Sequence, residues 1–117
     1  MPAKIKIQKR HKYGAIPTIV DGIRFASKKE AAHYTVLQAR MDADEIRELT
    51  LQVKYPLHAH TPTGEKVRVG VYVADFFYID NRTGKSHTID VKGVKTPMYR
   101  WKSRHLKIEY GITIEEV

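Results

Sequence analysis

The 117 residues suit one compact domain, and a hydrophobic content of 42% can supply a core, which argues against wholesale disorder. There is no cysteine, so disulfides and thiolate-bound zinc are excluded, and no apolar run approaches the roughly 20 residues that cross a bilayer. A formal charge of +8 and a pI of about 9.7 favour a polyanionic partner, because each phosphate neutralised releases condensed counterions.

Residues 1–13 read as a flexible basic arm with Lys4, Lys6, Lys9, Arg10 and Lys12 and too few apolar residues to pack. They hold no apolar block like that of a secretory signal, so the expectation is a cytoplasmic protein. Asp21-Gly22 lies between two β-prone triplets and supplies the positive φ angles of a type I′ turn, which predicts a small hairpin. Ser27 and Glu30 have capping-box spacing, and a helix over about 28–42 follows, with Tyr34, Leu37 and Met41 as its buried stripe. Glu30 stands at the head of that stripe. Strands over 49–60, 67–79 and 86–92 come next, and the turn sequences at 61–64 and 80–84 make them an antiparallel meander.

Thr96-Pro97 opens a second helix as N-cap and first turn, and Gly111 ends it after Tyr110. Met98, Trp101, His105 and Ile108 fall near one stripe, expected to pack on the sheet. Residues 112–117 alternate apolar and polar as a closing strand, reached by a parallel crossover. The expectation is an α/β fold of order α-β-β-β-α-β after a hairpin, with a mixed sheet flanked by two helices, over one domain of residues 14–117.

Strand alternation isolates a carboxylate. Val67, Val69, Val71, Val73, Phe77 and Ile79 share one face, taken as the core face, and Asp75 shares it with them. An unpaired ionised carboxylate in such a row costs several kcal/mol, on the order of what a cation or donor network must return. An even-length loop at 81–84 pairs Asp80 with Lys85 and sets Asp75 opposite Asp90, with Lys92 on the same face. A divalent cation such as Mg²⁺ resolves the repulsion of two opposed carboxylates; a shared proton or an ion pair with Lys92 does so without metal. Carboxylate-held ions also suit phosphodiester hydrolysis, with Lys92 orienting a water, aiding its deprotonation or stabilising the phosphate. Glu30 either completes the ligand set or only caps its helix. Gln52, on the preceding strand, is a candidate neighbour of the site. No Gly-rich phosphate loop or nucleotide fingerprint is present, so no nucleotide cofactor is expected. His58-x-His60, lacking Cys or a second His pair, is a poor zinc site.

Glu30 on the first helix, Val73-Ala74-Asp75 on the second strand and Ile89-Asp90-Val91-Lys92 on the third resemble the PD-(D/E)XK nuclease superfamily. The α-β-β-β-α-β order over about 27–117 is similar to that superfamily's restriction-endonuclease-like core, and the fuller pattern resembles small phage- and prophage-encoded members. Ala74 departs from the Pro of the superfamily's name. The resemblance implies Asp75, Asp90 and the Val91 carbonyl as ligands of Mg²⁺ or Mn²⁺, Glu30 as an additional carboxylate, and Lys92 as the catalytic lysine.

The expectation is therefore a metal-dependent DNA endonuclease of phage recombination or DNA processing, acting in the host cytoplasm if phage-encoded. Small size and basicity suit branched DNA such as Holliday junctions, cut by a homodimer. A DNA-binding module without catalysis and a ribonuclease are the alternatives. Lys9, Arg10 and Lys12 of the arm, with Lys95, Arg100, Lys102, Arg104 and Lys107, are the candidate phosphate contacts. Tyr99 and Trp101 are able to stack on an unpaired base, although core packing is the ordinary role of such a Trp.

Overall fold

The computed structural model describes residues 16–117, so the basic arm with Lys9, Arg10 and Lys12 lies outside the described residues. β1 (Thr18–Val20) and β2 (Ile23–Phe25) form a separate antiparallel hairpin, with Asp21 and Gly22 at φ 52° and 75° as its turn demands. α1 (Lys28–Asp42) starts where the Ser27 hydroxyl accepts the Glu30 N–H at 3.1 Å. Three antiparallel strands follow: β3 (Ile46–His60), β4 (Lys66–Asp80) and β5 (Ser86–Asp90). α2 (Pro97–Tyr110) begins under a Thr96 cap and ends at Gly111, whose φ of 71° is the left-handed conformation that closes a helix.

β6 is only Glu115–Glu116 and pairs parallel to β5. The closing strand expected over 112–117 is thus much shorter, because the chain must first run beside α2. The result is a mixed four-stranded sheet in the order β3-β4-β5-β6, two helices and the hairpin. No helix among the described residues is long and apolar enough to cross a membrane.

The β4–β5 register is the one that the even-length loop requires. Phe76 pairs with Ile89 and Ile79 with Ser86, and the Asp80 N–H donates to the Lys85 carbonyl at 2.9 Å. The choice of core face is corrected. In β4 the even residues Tyr72, Ala74, Phe76 and Tyr78 are buried, while Val67, Val69 and Val73 of the odd row are exposed. Both rows are apolar, so alternation sorted them without ranking them. The bulkier aromatic row is the one that takes the helices.

Two buried clusters result. Phe25, Tyr34 and Leu37 pack with Ile46, Phe76, Tyr78 and Ile89 under α1. Leu106 of α2 packs with Leu57, Tyr72 and Ala74. The expected α2 stripe is also corrected: Met98, Trp101 and Ile108 are exposed and His105 is half-buried. Leu106, one position off that stripe, is the residue that reaches the sheet.

Candidate active site

β5 ends at Asp90, two residues before the expected end at Lys92, and the ladder to β4 ends one pair earlier, at Phe76–Ile89. Beyond that pair, carboxylates take over the backbone donors. The Asp75 N–H donates to Asp90 Oδ1 at 3.0 Å, and the Val91 N–H donates to Asp75 Oδ2 at 2.8 Å. Each aspartate is thus held by the other's strand. The backbone continues through β6: Val117 donates to the Asp90 carbonyl at 3.0 Å, and Lys92 donates to the Val117 carbonyl at 3.2 Å.

Asp90 is only 1% exposed, and the buried Tyr72 hydroxyl donates to its Oδ2. Lys92 Nζ lies 3.4 Å from the same oxygen and 4.1 Å from the centroid of the Tyr99 ring. The ion pair considered as a metal-free alternative is therefore present. It also gives Lys92 one defined place, fixed by a carboxylate and an aromatic face. The Tyr99 hydroxyl donates to Glu116 at 2.6 Å, and burial with that carboxylate raises its pKa.

Glu30 is 7% exposed although it caps a helix. Burial first, then the charges of Asp75 and Asp90, lift its pKa from 4.5 to about 7, against the downward pull of Lys92. Burial also raises Asp75, opposed by the Val91 amide, Lys92 and a hydrogen bond from Gln52. Asp90 is raised by burial and held back mainly by Lys92. Three carboxylates from α1, β4 and β5 are therefore each made costlier to ionise by burial, and Glu30 also by the charge of the other two.

Among the described residues no three His, Asp or Glu side chains close into a ready-made metal cage. Mg²⁺ does not require one, since it is commonly bound through one or two carboxylates with waters and substrate phosphates completing the octahedron. Hard oxygen donors that resist ionisation on their own fit such a cation.

Three neighbours were not singled out from sequence. Tyr72 belongs to the opposite parity row from Asp75, so alternation gave no reason to couple it to Asp90. His33 sits one helical turn after Glu30, and that spacing was a legible signal. Its Nε2 is buried without a hydrogen-bond partner among the described residues, and burial and Arg40 lower its pKa against the pull of Asp75. Lys29 of α1 donates to the Lys92 carbonyl at 3.2 Å, tying the helix to the segment just after β5.

The candidate phosphate contacts divide into two sets. Lys95, Arg100, Arg104 and Lys107 line a groove of about 500 Å³ between α2 and the segment leading to β6. Lys102 instead lines the groove that holds Asp90 and Lys92. Lys95 is partly neutralised by Glu116 at 2.8 Å. His58 takes no part in the site: its backbone N–H and Nδ1 each meet Glu109 at 2.7 Å, while His60 is exposed.

Comparison with curated proteins finds no match, and comparison with solved structures finds none either. A family model described as "Protein of unknown function (DUF1064)" matches residues 10–114, and the chain belongs to that family.

Proposed function

We propose that this protein is a metal-dependent DNA endonuclease of the PD-(D/E)XK type, with a restriction-endonuclease-like core, hydrolysing phosphodiester bonds. One observation carries the reading: Asp75 and Asp90 are locked side by side through backbone amides of each other's stretch of chain, Lys92 reaches Asp90, and buried Glu30 comes in from α1 to feel the charge of both. A protein that only binds phosphate has no use for converging buried carboxylates, which repel its ligand.

In this reading Asp75, Asp90, Glu30 and the Val91 carbonyl would hold Mg²⁺ or Mn²⁺, which would supply a water of lowered pKa and neutralise charge at the phosphate. The chain's own contribution is positioning. The backbone amides of Asp75 and Val91 and the Tyr72 hydroxyl fix the two aspartates. Lys92, held by Asp90 and Tyr99, offers positive charge where the pentavalent phosphate develops negative charge. Glu30, whose carboxyl is lifted to about 7, would have to be deprotonated to serve as a ligand, which would make its part in holding an ion pH-dependent. The basic residues of α2 contact the DNA backbone. The proposal extends to phage recombination or DNA processing in the cytoplasm, and to branched DNA cut by a homodimer, whose symmetry gives two matched incisions.

The test uses duplex, single-stranded, flap and four-way-junction DNA with Mg²⁺, Mn²⁺ or EDTA, beside Asp90→Ala and Lys92→Ala. Metal-dependent cutting is expected, with Lys92→Ala slower by about 10²–10³-fold and Asp90→Ala slower still. Binding without cutting in any metal refutes the enzyme reading. Equal cutting by Asp90→Ala refutes the site.

A further inference from the structure

Trp101 is 46% exposed, and it stands among exposed Val69 and Met98 rather than in the core. Its position is nonetheless fixed. The indole lies against Gly70, where an added Cβ would meet Cζ3 at 3.9 Å. His105 supports it with ring centroids 5.6 Å apart. His105 is itself anchored, with Nε2 at 2.9 Å from the His58 carbonyl and 3.2 Å from Glu109. An aromatic ring held on one side and open on the other binds with little loss of side-chain freedom.

This ring floors a groove of about 500 Å³ formed with Val69, Gly70, Met98 and Lys102. Met98 and Lys102 also line the adjoining groove of about 300 Å³ that contains Asp90 and Lys92. The apolar floor therefore runs directly into the candidate active site, with a lysine at the junction.

We propose that the Trp101 groove takes an unpaired nucleobase, stacked on the indole, while Lys102 contacts the backbone phosphate on the path to Asp90 and Lys92. The proposal rests on the nuclease reading of the adjoining site and names its substrate class: nucleic acid that is single-stranded or locally unpaired beside the cut. Charge selects this occupant over a second copy of the chain. The same face of a second copy would bring Lys92 and Lys102 against their own like-charged counterparts. A nucleotide offers both an apolar face for the floor and a phosphate for the lysines.

Trp101 is the chain's sole tryptophan, so its fluorescence reports the groove directly. The full chain is titrated in EDTA with a short labelled single-stranded oligothymidylate and with a blunt duplex, reading tryptophan emission and oligonucleotide anisotropy. The single strand is expected to quench emission strongly and the duplex only weakly. Trp101→Ala should weaken single-strand binding about tenfold, while Trp101→Phe, which keeps an aromatic face and guards against a folding artefact, stays within about twofold of wild type.

Saturating anisotropy with unchanged emission overturns the proposal, as does equal quenching by duplex or unchanged affinity in both variants. Concentration-dependent emission without DNA, accompanied by a doubled mass that Trp101→Ala abolishes, assigns the face to a second copy and also overturns it. A parallel Mg²⁺ and Mn²⁺ cleavage assay separates the two readings. Quenching without cleavage sinks the nuclease reading and leaves the groove; cleavage without quenching does the reverse.

Discussion

α1 buries Glu30, Ala31, Tyr34 and Leu37 along its inner side, whereas α2, of nearly equal length, buries only Leu106. The first helix is held between the hairpin and the sheet, where Phe25, Phe76 and Ile89 close around it. The second covers a smaller cluster and turns Met98, Trp101 and Ile108 outward among basic residues. Apolar burial in α1 fixes a carboxylate that would be free to swing on an exposed helix. Apolar exposure in α2 leaves side chains open to solvent. One helix holds a carboxylate in place and the other presents a surface.

The sharpest way to break this contrast is through stability. Leu37→Ala removes a fully buried side chain and is expected to cost about 4 kcal/mol in urea unfolding, with the cavity adding to the lost transfer energy. Ile108→Ser, at a position 78% exposed, should change stability by less than about 0.5 kcal/mol. A comparable loss at Ile108 would mean that the outer side of α2 is covered in solution, and the contrast would fail.

A second prediction concerns Glu30 in metal-free protein. Unfolded, its carboxyl ionises near 4.5; folded, it keeps its proton to about 7. Between those values the folded state binds more protons, so stability falls as pH rises from 4.5 through 7 and Glu30 causes no further loss above that. The full shift corresponds to about 3 kcal/mol. Urea midpoints measured in EDTA should decline over that window for wild type and decline less for Glu30→Gln. Asp75 and Asp90 are also raised, so a residual slope of the same sign should remain in the variant. Identical slopes would show that Glu30 is not the buried acid of this site.

The two helices also differ in how far they could be read in advance. Three of the four helix ends were legible because caps act locally: Ser27, Thr96 and Gly111 each do their work within one turn. The Asp75–Asp90 juxtaposition was legible because strand parity and loop length are arithmetic. Which row of β4 faces the helices was not, since valines and aromatics both satisfy an apolar pattern and only tertiary packing ranks them. For the same reason the outward turn of Trp101 was hidden: a helix stripe predicts a side, and the sheet's shape decides whether anything meets it. Tyr72 on Asp90 was out of reach because parity placed the two residues apart.

The smallest expected effect bears on how β3 supports the site. Gln52 has a φ of 53° in mid-strand, a left-handed conformation that costs a non-glycine residue about 1 kcal/mol. Its neighbours Leu51 and Val53 pair with Phe76 and Ala74, so it stands opposite Asp75, and its side-chain amide pulls that carboxyl's pKa down. Backbone strain and a side-chain amide opposite the acid thus coincide at one position. Gln52→Gly removes both, so stability should hold or rise by up to about 1 kcal/mol, tempered by glycine's greater freedom when unfolded. If the nuclease reading holds, cleavage should nevertheless fall, because Asp75 loses one of the groups that restrain the rise of its pKa. Gln52→Asn tolerates the same backbone but shortens the side chain, and should lose cleavage without gaining stability. Full cleavage by both variants would leave the strain unconnected to the site, and α1, β4 and β5 would then position the acids without help from β3.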